Sequence, residues 1–383
     1  MRNKSVFLLG NGIRNNPSLV NNLLEMSVPT MTTWMSMDLV PENHESFCGR
    51  PGTIGQRGAN IILQECDNLY VFGARLDDDT VAFNLDNFAK NANKFVYDVD
   101  VAELNKYPQS WRKIIVDFDN YTMGFPKPQE SPDWLFWCKA VHNDLRYELE
   151  GQENDRYVDP YKFVSLMSDL CQEDEIIALG SSGFAPVSFL HAFKVKKGQR
   201  IIGCSTLGSM GIDVPMAIGA CIGSGNKRTI TPTGDGGFSM NFQELEVARR
   251  LNLPIKFFIY NNSGYGSIKS MQKGKFGGHL VGCNAESGLT LPSIKNIAKC
   301  FDIDYCKIPS LSKDFFRKAI EKCMETPNPS IIELMIDPDW MPSPKVASSI
   351  VDGKIVSDDF ENMSPKIDVE EYKKKMYEII KDV

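Results

Sequence analysis

An α/β protein of two doubly wound parallel-sheet domains is the fold class this sequence predicts. Three observations lead there: short continuous apolar runs that stop at Gly or Asp, stretches of helical period between those runs, and 383 residues, enough for two cores and too many for one. A run that is apolar throughout suits a parallel strand covered on both faces, whereas a half-solvated strand would alternate.

The first run is Ser5 to Leu9, followed by Gly10-Asn11-Gly12 and then a helical stretch carrying Leu19, Leu23 and Leu24. Further strands are expected at Leu69 to Phe72, which ends at Gly73, and at Phe95 to Asp100. The glycine pair invites comparison with a dinucleotide fingerprint, but Asn15 stands where the third Gly or Ala is needed, so a tight strand-to-helix turn is the better reading. The segment Phe125 to Pro132 is rich in Pro, and Trp134 to Trp137 should begin a helix. Glu148 to Asp159 is polar and charged and reads as a linker. The expected domains are therefore 1–155 and 156–383. In the second, strands are expected at Ile176 to Leu179, Arg228 to Thr231, Ile255 to Tyr260 and Ile331 to Ile336. From Asn241 to Asn252, Phe242, Leu245, Ala248 and Leu251 share one face of a helix.

Composition excludes several classes. With 42% hydrophobic, 24% charged and 10% aromatic residues the chain is globular in type, and 42 basic against 49 acidic residues give a net charge of −7. No basic stripe is present to meet a phosphate backbone, so nucleic acid is not an expected partner. The apolar start at Val6 is broken by Gly10 and polar residues before membrane length is reached, so no membrane is expected and the cytoplasm is the expected compartment. Ten cysteines are scattered without a C-x-x-C pair or zinc-ligand spacing, which reads as reduced structural thiols.

The chemistry concentrates in one βαβ unit. Thr233-Gly234-Asp235-Gly236-Gly237-Phe238 opens it, and Asn261-Asn262-Ser263-Gly264-Tyr265-Gly266 follows the strand that closes it. Both stretches fall at the carboxyl ends of strands, where open α/β sheets bind ligands. Asp235 offers a carboxylate, Asn262 an amide oxygen and Gly264 a main-chain carbonyl. Three hard oxygens leave about three octahedral positions for phosphate oxygens and water, the usual surroundings of Mg2+ on a diphosphate. Each half alone would read as an ordinary turn, because Asp, Asn, Ser and Gly dominate turns.

Together the halves resemble the signature of thiamine diphosphate-dependent enzymes, in which Gly-Asp-Gly is followed by Asn-Asn after about 25 residues; here 24 residues separate Gly236 from Asn261. The stretch Thr206 to Ala220 resembles a segment of the acetolactate synthase-like members. That resemblance implies that Met210 lies under the thiazolium and that the carbonyl of Gly208 receives the aminopyrimidine. It further implies that Gly183, Phe184 and Ala185 contact the diphosphate through main-chain N–H groups, with Gly234, Asp235, Gly236, Gly237, Asn262, Gly264 and Tyr265 completing the cofactor site. Asp235, Asn262 and Gly264 would be the Mg2+ ligands. Phe276 to Gly288 resembles a mobile segment over the active site, where His279 is a candidate substrate contact or an ordinary surface residue. Gly52 to Asn60, Phe72 to Asp78 and Tyr97 to Glu103 resemble landmarks of the family's central domain, which binds FAD in several relatives; FAD is thus a further candidate cofactor, with Arg75 facing its phosphate or simply capping a helix. Ser357 to Pro365 resembles tails found in relatives of surface-sugar pathways, which makes a sugar-derived acceptor a candidate.

The resemblance covers the central and diphosphate-binding domains and leaves the pyrimidine-binding domain, with its catalytic glutamate, unmatched. No acid of this chain takes the glutamate's place by motif. The implied function is the large component of a split carboligase or decarboxylase acting on a 2-oxo acid such as pyruvate, with a separate pyrimidine-domain subunit and an oligomeric assembly. The alternative is a non-catalytic subunit that binds thiamine diphosphate as a scaffold.

Overall fold

A computed structural model describes residues 3–121, 125, 127–129, 131–146, 156–181, 183–204, 208–351 and 354–381. The chain forms two compact units, one made of Met1–Leu149 with Ser343–Val383 and the other of Glu150–Pro342.

The first unit opens with β1 (Ser5–Leu9), α1 (Pro17–Glu25), β2 (Thr30–Thr32), α2 (Arg57–Glu65), β3 (Asn68–Phe72), β4 (Asn93–Asp98), α3 (Val101–Leu104), β5 (Arg112–Ile115) and α4 (Pro132–Asp144). Its five strands are parallel, in the order β2-β1-β3-β4-β5, a doubly wound arrangement. Local chemistry sets the elements. Asn16 caps α1 by accepting from Leu19 N at 2.9 Å, Pro17 occupies the first turn, and Leu19, Val20, Leu23 and Leu24 go into the core. At the end of β1, Gly10 N donates to Phe72 O and Gly12 N to Gly73 O, and a Cβ on Gly10 would lie 2.1 Å from the Gly73 carbonyl. The glycine pair thus serves close backbone packing, as the turn reading expects.

The second unit contains α5 (Pro160–Leu170), β6 (Ile176–Leu179), α6 (Phe184–Ala192), β7 (Arg200–Gly203), α7 (Asp213–Gly223), β8 (Thr229–Gly234), the single turn α8 (Asp235–Phe238), α9 (Leu245–Arg250), β9 (Ile255–Asn261), α10 (Gly266–Lys275), α11 (Ile294–Cys300), β10 (Asp304–Ile308), α12 (Asp314–Glu325) and β11 (Ser330–Met335). Its six parallel strands run in the order β10-β11-β9-β8-β6-β7. Ile255, Phe257, Phe258 and Ile259 of β9 are fully buried, and each contributes roughly 1.5–3 kcal/mol by leaving water. Lys256 in the same strand is equally buried, and its ammonium is satisfied by Thr326 O, Thr326 Oγ1 and Asn328 O at 2.7–2.8 Å, at the carboxyl end of α12.

Three expectations are corrected. Ser343–Val383 groups with the first unit and not with Glu150–Pro342. The β12 (Ser348–Val351) and β13 (Lys354–Ser357) hairpin and α13 (Val369–Lys381) belong to the first unit, where Phe360, Met363, Val369 and Met376 enter the core. Arg57 donates to the carbonyls of Met363 and Pro365, and Asn60 to that of Phe360, so the tail segment Ser357–Pro365 has structural partners. The helix expected over Asn241–Asn252 is a 3-10 turn, Phe242–Glu244, followed by α9; Leu245 and Ala248 are buried, but Leu251 follows the last helical turn and is 42% exposed. The strand at Phe95–Asp100 ends at Asp98, because Asp100 caps α3 by accepting from Ala102 N. Most of the expected linker, residues 148–155, lies outside the described residues. All ten cysteines are free and six are buried, as their scatter suggests.

Candidate cofactor and metal site

In the second unit β6, β8 and β9 are hydrogen-bonded neighbours and run parallel, so the segments that follow them emerge at one edge of the sheet. They carry Gly183–Ala185, Gly234–Gly237 and Asn262–Tyr265, stretches far apart in sequence that the topology gathers. Gly183 (φ +66°) precedes α6, whose first-turn N–H groups at Phe184 and Ala185 lack intrahelical acceptors and are suited to an anion. Ser181 Oγ donates to Ser209 O at 2.7 Å and ties the loop after β6 to the one bearing Met210.

Asp235 is buried, with 3% of its surface exposed, and accepts from Gly236 N at 2.8 Å (Oδ1) and from Gly264 N at 3.1 Å (Oδ2). The second bond joins the two halves of the sequence signature. Burial pushes the Asp235 carboxyl up to about 7; the N–H groups of Gly236, Gly264 and Ser263 oppose that rise and the nearby Glu333 adds to it. No cationic side chain pairs with it among the described residues. Asn262 Oδ1 is buried and has no hydrogen-bond partner. A buried carboxylate without a counter-charge beside a buried amide oxygen without a donor is what a hard cation would satisfy, so the residues present fit Mg2+. Among the described residues no three His, Cys, Asp or Glu side chains cluster as a metal site.

Gly264 has φ +147°, and a Cβ there would lie 2.2 Å from Cys283 O, so only glycine fits this turn. A Cβ on Gly236 would meet the Tyr265 ring at 2.4 Å and Met210 Cε at 2.9 Å. Met210, Gly236 and Tyr265 are thereby brought together, and Met210, 37% exposed, offers an apolar surface beside the turn that carries Asp235. Gly234 precedes the turn of α8 and Gly237 lies within it. Gly208 (φ +59°) is exposed, and a Cβ on it would touch nothing among the described residues, so none of those contacts ties it to the other candidate residues. Its neighbours Thr206 and Leu207, and Ser182 of the loop after β6, lie outside the described residues.

Two clefts share the Asn262–Gly266 region. One of about 430 Å³ is lined by Asn262, Tyr265, Lys269, Lys273 and Asp339 among others, and one of about 670 Å³ by Asp235, Asn261, Ser263, Tyr305 and Glu333 among others. His279 is exposed in a turn with Gly277 and Gly278, and Arg75 is 59% exposed with Glu103 at 3.8 Å, so each has the surroundings of a surface residue. Sequence reasoning missed Glu333, Asn261 and Tyr305. The signal available was a lone acid within the apolar run Ile331 to Ile336.

Residues 181–334 match the family described as the thiamine pyrophosphate enzyme, C-terminal TPP binding domain, and residues 2–121 match the thiamine pyrophosphate enzyme, central domain. The chain is 27% identical over 361 residues to the acetolactate synthase isozyme 1 large subunit of Escherichia coli (strain K12), covering 93% of this chain and 62% of that protein. It is 29% identical over 324 residues to the acetolactate synthase large subunit of Cyanidium caldarium, covering 81% and 53%, and 25% identical over 322 residues to the probable acetolactate synthase large subunit of Methanocaldococcus jannaschii, covering 82% and 54%. The chain thus spans between about half and three-fifths of the length of these relatives.

Proposed function

We propose, since this chain belongs to the thiamine pyrophosphate enzymes and is homologous to acetolactate synthase large subunits, that it is the diphosphate-holding component of a two-chain carboligase or decarboxylase acting on a 2-oxo acid such as pyruvate. The observation that carries this reading is the pairing of the buried, uncompensated Asp235 with the unpartnered Asn262 oxygen at the end of two adjacent strands.

When bound, thiamine diphosphate supplies an electron sink for decarboxylation of the 2-oxo acid. The chain's own part is to bind and orient. Asp235, Asn262 and the Gly264 carbonyl would hold Mg2+, and the N–H groups of Phe184 and Ala185 would take diphosphate oxygens. Met210 and Tyr265 would give the cofactor an apolar wall from which water is kept. The two acids nearest the turn have other work: Asp235 would hold the cation, and Glu333 accepts from both Asn261 and Tyr305. That supports a glutamate supplied by a separate pyrimidine-domain subunit, within an oligomer whose active site needs both chains. The first unit's FAD remains a proposal to be tested by flavin absorbance of the purified chain.

Calorimetric titration of thiamine diphosphate with Mg2+ tests the site: Asp235→Ala should abolish binding, because the cation loses its only charged protein ligand. Undiminished affinity would end the assignment. Pyruvate decarboxylation measured with and without a co-purifying pyrimidine-domain subunit tests the two-chain reading, which requires turnover only in the mixture.

A further inference from the structure

Glu333 stands in β11 with 5% of its surface exposed, a rare place for a carboxylate. Both of its oxygens are engaged: Oε1 accepts from Asn261 Nδ2 at 2.5 Å, and Oε2 accepts from the Tyr305 hydroxyl of the neighbouring edge strand. Asn261 in turn holds the turn that follows it, its Oδ1 accepting from Ser263 N at 3.1 Å. Ser263 is thereby kept at φ +62° and Gly264 at φ +147°, the conformation in which Gly264 N reaches Asp235 Oδ2. An unbroken path of hydrogen bonds and turn backbone runs from Tyr305 through Glu333 and Asn261 to Asp235.

Charge points the same way. No Lys, Arg or His pairs with Glu333 or Asp235 among the described residues, although both are buried and line one cleft. Lys295 and Lys307 also line that cleft, and Lys307 stands opposite Glu333 in the β10–β11 register, but neither lysine pairs with either carboxyl among the described residues, so a divalent cation held by Asp235 would meet two buried acids.

We propose that Glu333 is the positioning residue of the cation site, acting through Asn261 to hold the turn that presents Asn262 and Gly264 and adding a fixed negative charge that tightens the cation. The inference rests on the reading of Asp235, Asn262 and Gly264 as that site. A carboxylate one step behind the ligands does two things an apolar residue cannot: it locks the orientation of the amide that organises the turn, and it deepens the potential at the metal.

The experiment is an electron paramagnetic resonance titration of free Mn2+ against the full chain with saturating thiamine diphosphate. Circular dichroism and melting in EDTA accompany each variant. Glu333→Gln removes the charge and one acceptor and should weaken Mn2+ about tenfold or more, the usual loss when an outer partner of a metal ligand is removed. Asn261→Ala breaks the link with the charge left in place and should also weaken it about tenfold. Tyr305→Phe, which spares the Asn261 contact, should stay within about twofold. A Glu333→Gln chain that binds Mn2+ like the wild type overturns the proposal, as does an Asn261→Ala chain that does so. If Glu333→Gln does not fold, Asn261→Ala decides alone: a tenfold loss with an unchanged EDTA melting point supports the path, and unchanged affinity overturns it. A wild-type chain that binds no Mn2+ would instead remove the reading of Asp235 itself, and the role of Glu333 with it.

Discussion

Asp235→Asn should make the cofactor-free protein more stable at pH 8 while destroying cofactor binding. Burial lifts the Asp235 carboxyl from an ordinary 3.8 to about 7, so the folded chain binds this proton more tightly than the unfolded chain. Folding then loses stability as pH rises from about 4 to 7, and at 1.36 kcal/mol per pH unit the full cost above pH 7 is about 4 kcal/mol. Asparagine carries no charge and avoids that cost. It has one acceptor oxygen, however, where Asp235 uses two, for Gly236 N at 2.8 Å and Gly264 N at 3.1 Å. One buried N–H is left unpaired, at about 1–3 kcal/mol. The net gain is about 2 kcal/mol at pH 8, or roughly 4–8 °C in melting temperature for a unit the size of Glu150–Pro342. At pH 5 most of the ionisation cost is absent, and the gain should vanish. Scanning calorimetry in EDTA at both pH values measures this, and titration with thiamine diphosphate and Mg2+ measures the loss of binding. A variant that melts below the wild type at pH 8, or that keeps Mg2+-dependent binding, would refute the reasoning.

Cation affinity should fall about tenfold per pH unit below 7, because a proton and the metal compete for Asp235; calorimetry in two buffers of different ionisation enthalpy should show about one proton released on binding at pH 6. Gly264→Ala sets a Cβ 2.2 Å from Cys283 O at a φ of +147° and should cost about 2–4 kcal/mol in urea unfolding, with the cation site lost. Gly236→Ala meets only the Tyr265 ring and the end of Met210, which can give way, so a smaller loss of about 1–3 kcal/mol is expected together with weaker cofactor binding. Met210→Ala, at a position 37% exposed, should change stability by less than about 0.5 kcal/mol yet weaken thiamine diphosphate binding; unchanged affinity would remove Met210 from the site.

The strands legible in the sequence and those that were not divide by position in the sheets. β1, β3, β4, β6, β8, β9 and β11 were expected, and each has a strand on both sides. β2, β5, β7 and β10 were not, and these are the two edges of each sheet. In β5, β7 and β10 the charges of Arg112, Arg200 and Asp304 break the continuous apolar run that marks a covered strand, whereas β2 is buried but is only the three residues Thr30–Thr32, too short to show a run. The metal turn was legible because its parts are local, Gly-Asp-Gly at the end of one strand and Asn-Asn at the end of the next. The support from Glu333 was not, because its partners Asn261 and Tyr305 lie 72 and 28 residues away. The assignment of Ser343–Val383 to the second domain failed for the same reason, since its anchors on Arg57 and Asn60 are about 300 residues distant in sequence.

That returning segment has a consequence for biosynthesis. Domains usually fold in the order in which they leave the ribosome, the amino-terminal one first. Here the unit that begins the chain cannot close its core until Val346, Phe360 and Met376 have been made, whereas Glu150–Pro342 is continuous and complete before they emerge. The cofactor-binding unit is therefore the first to finish, while the earlier-made half waits with apolar surface uncovered. A nascent chain stalled near Pro342 should carry a folded, protease-resistant second unit attached to a first one still open to a chaperone.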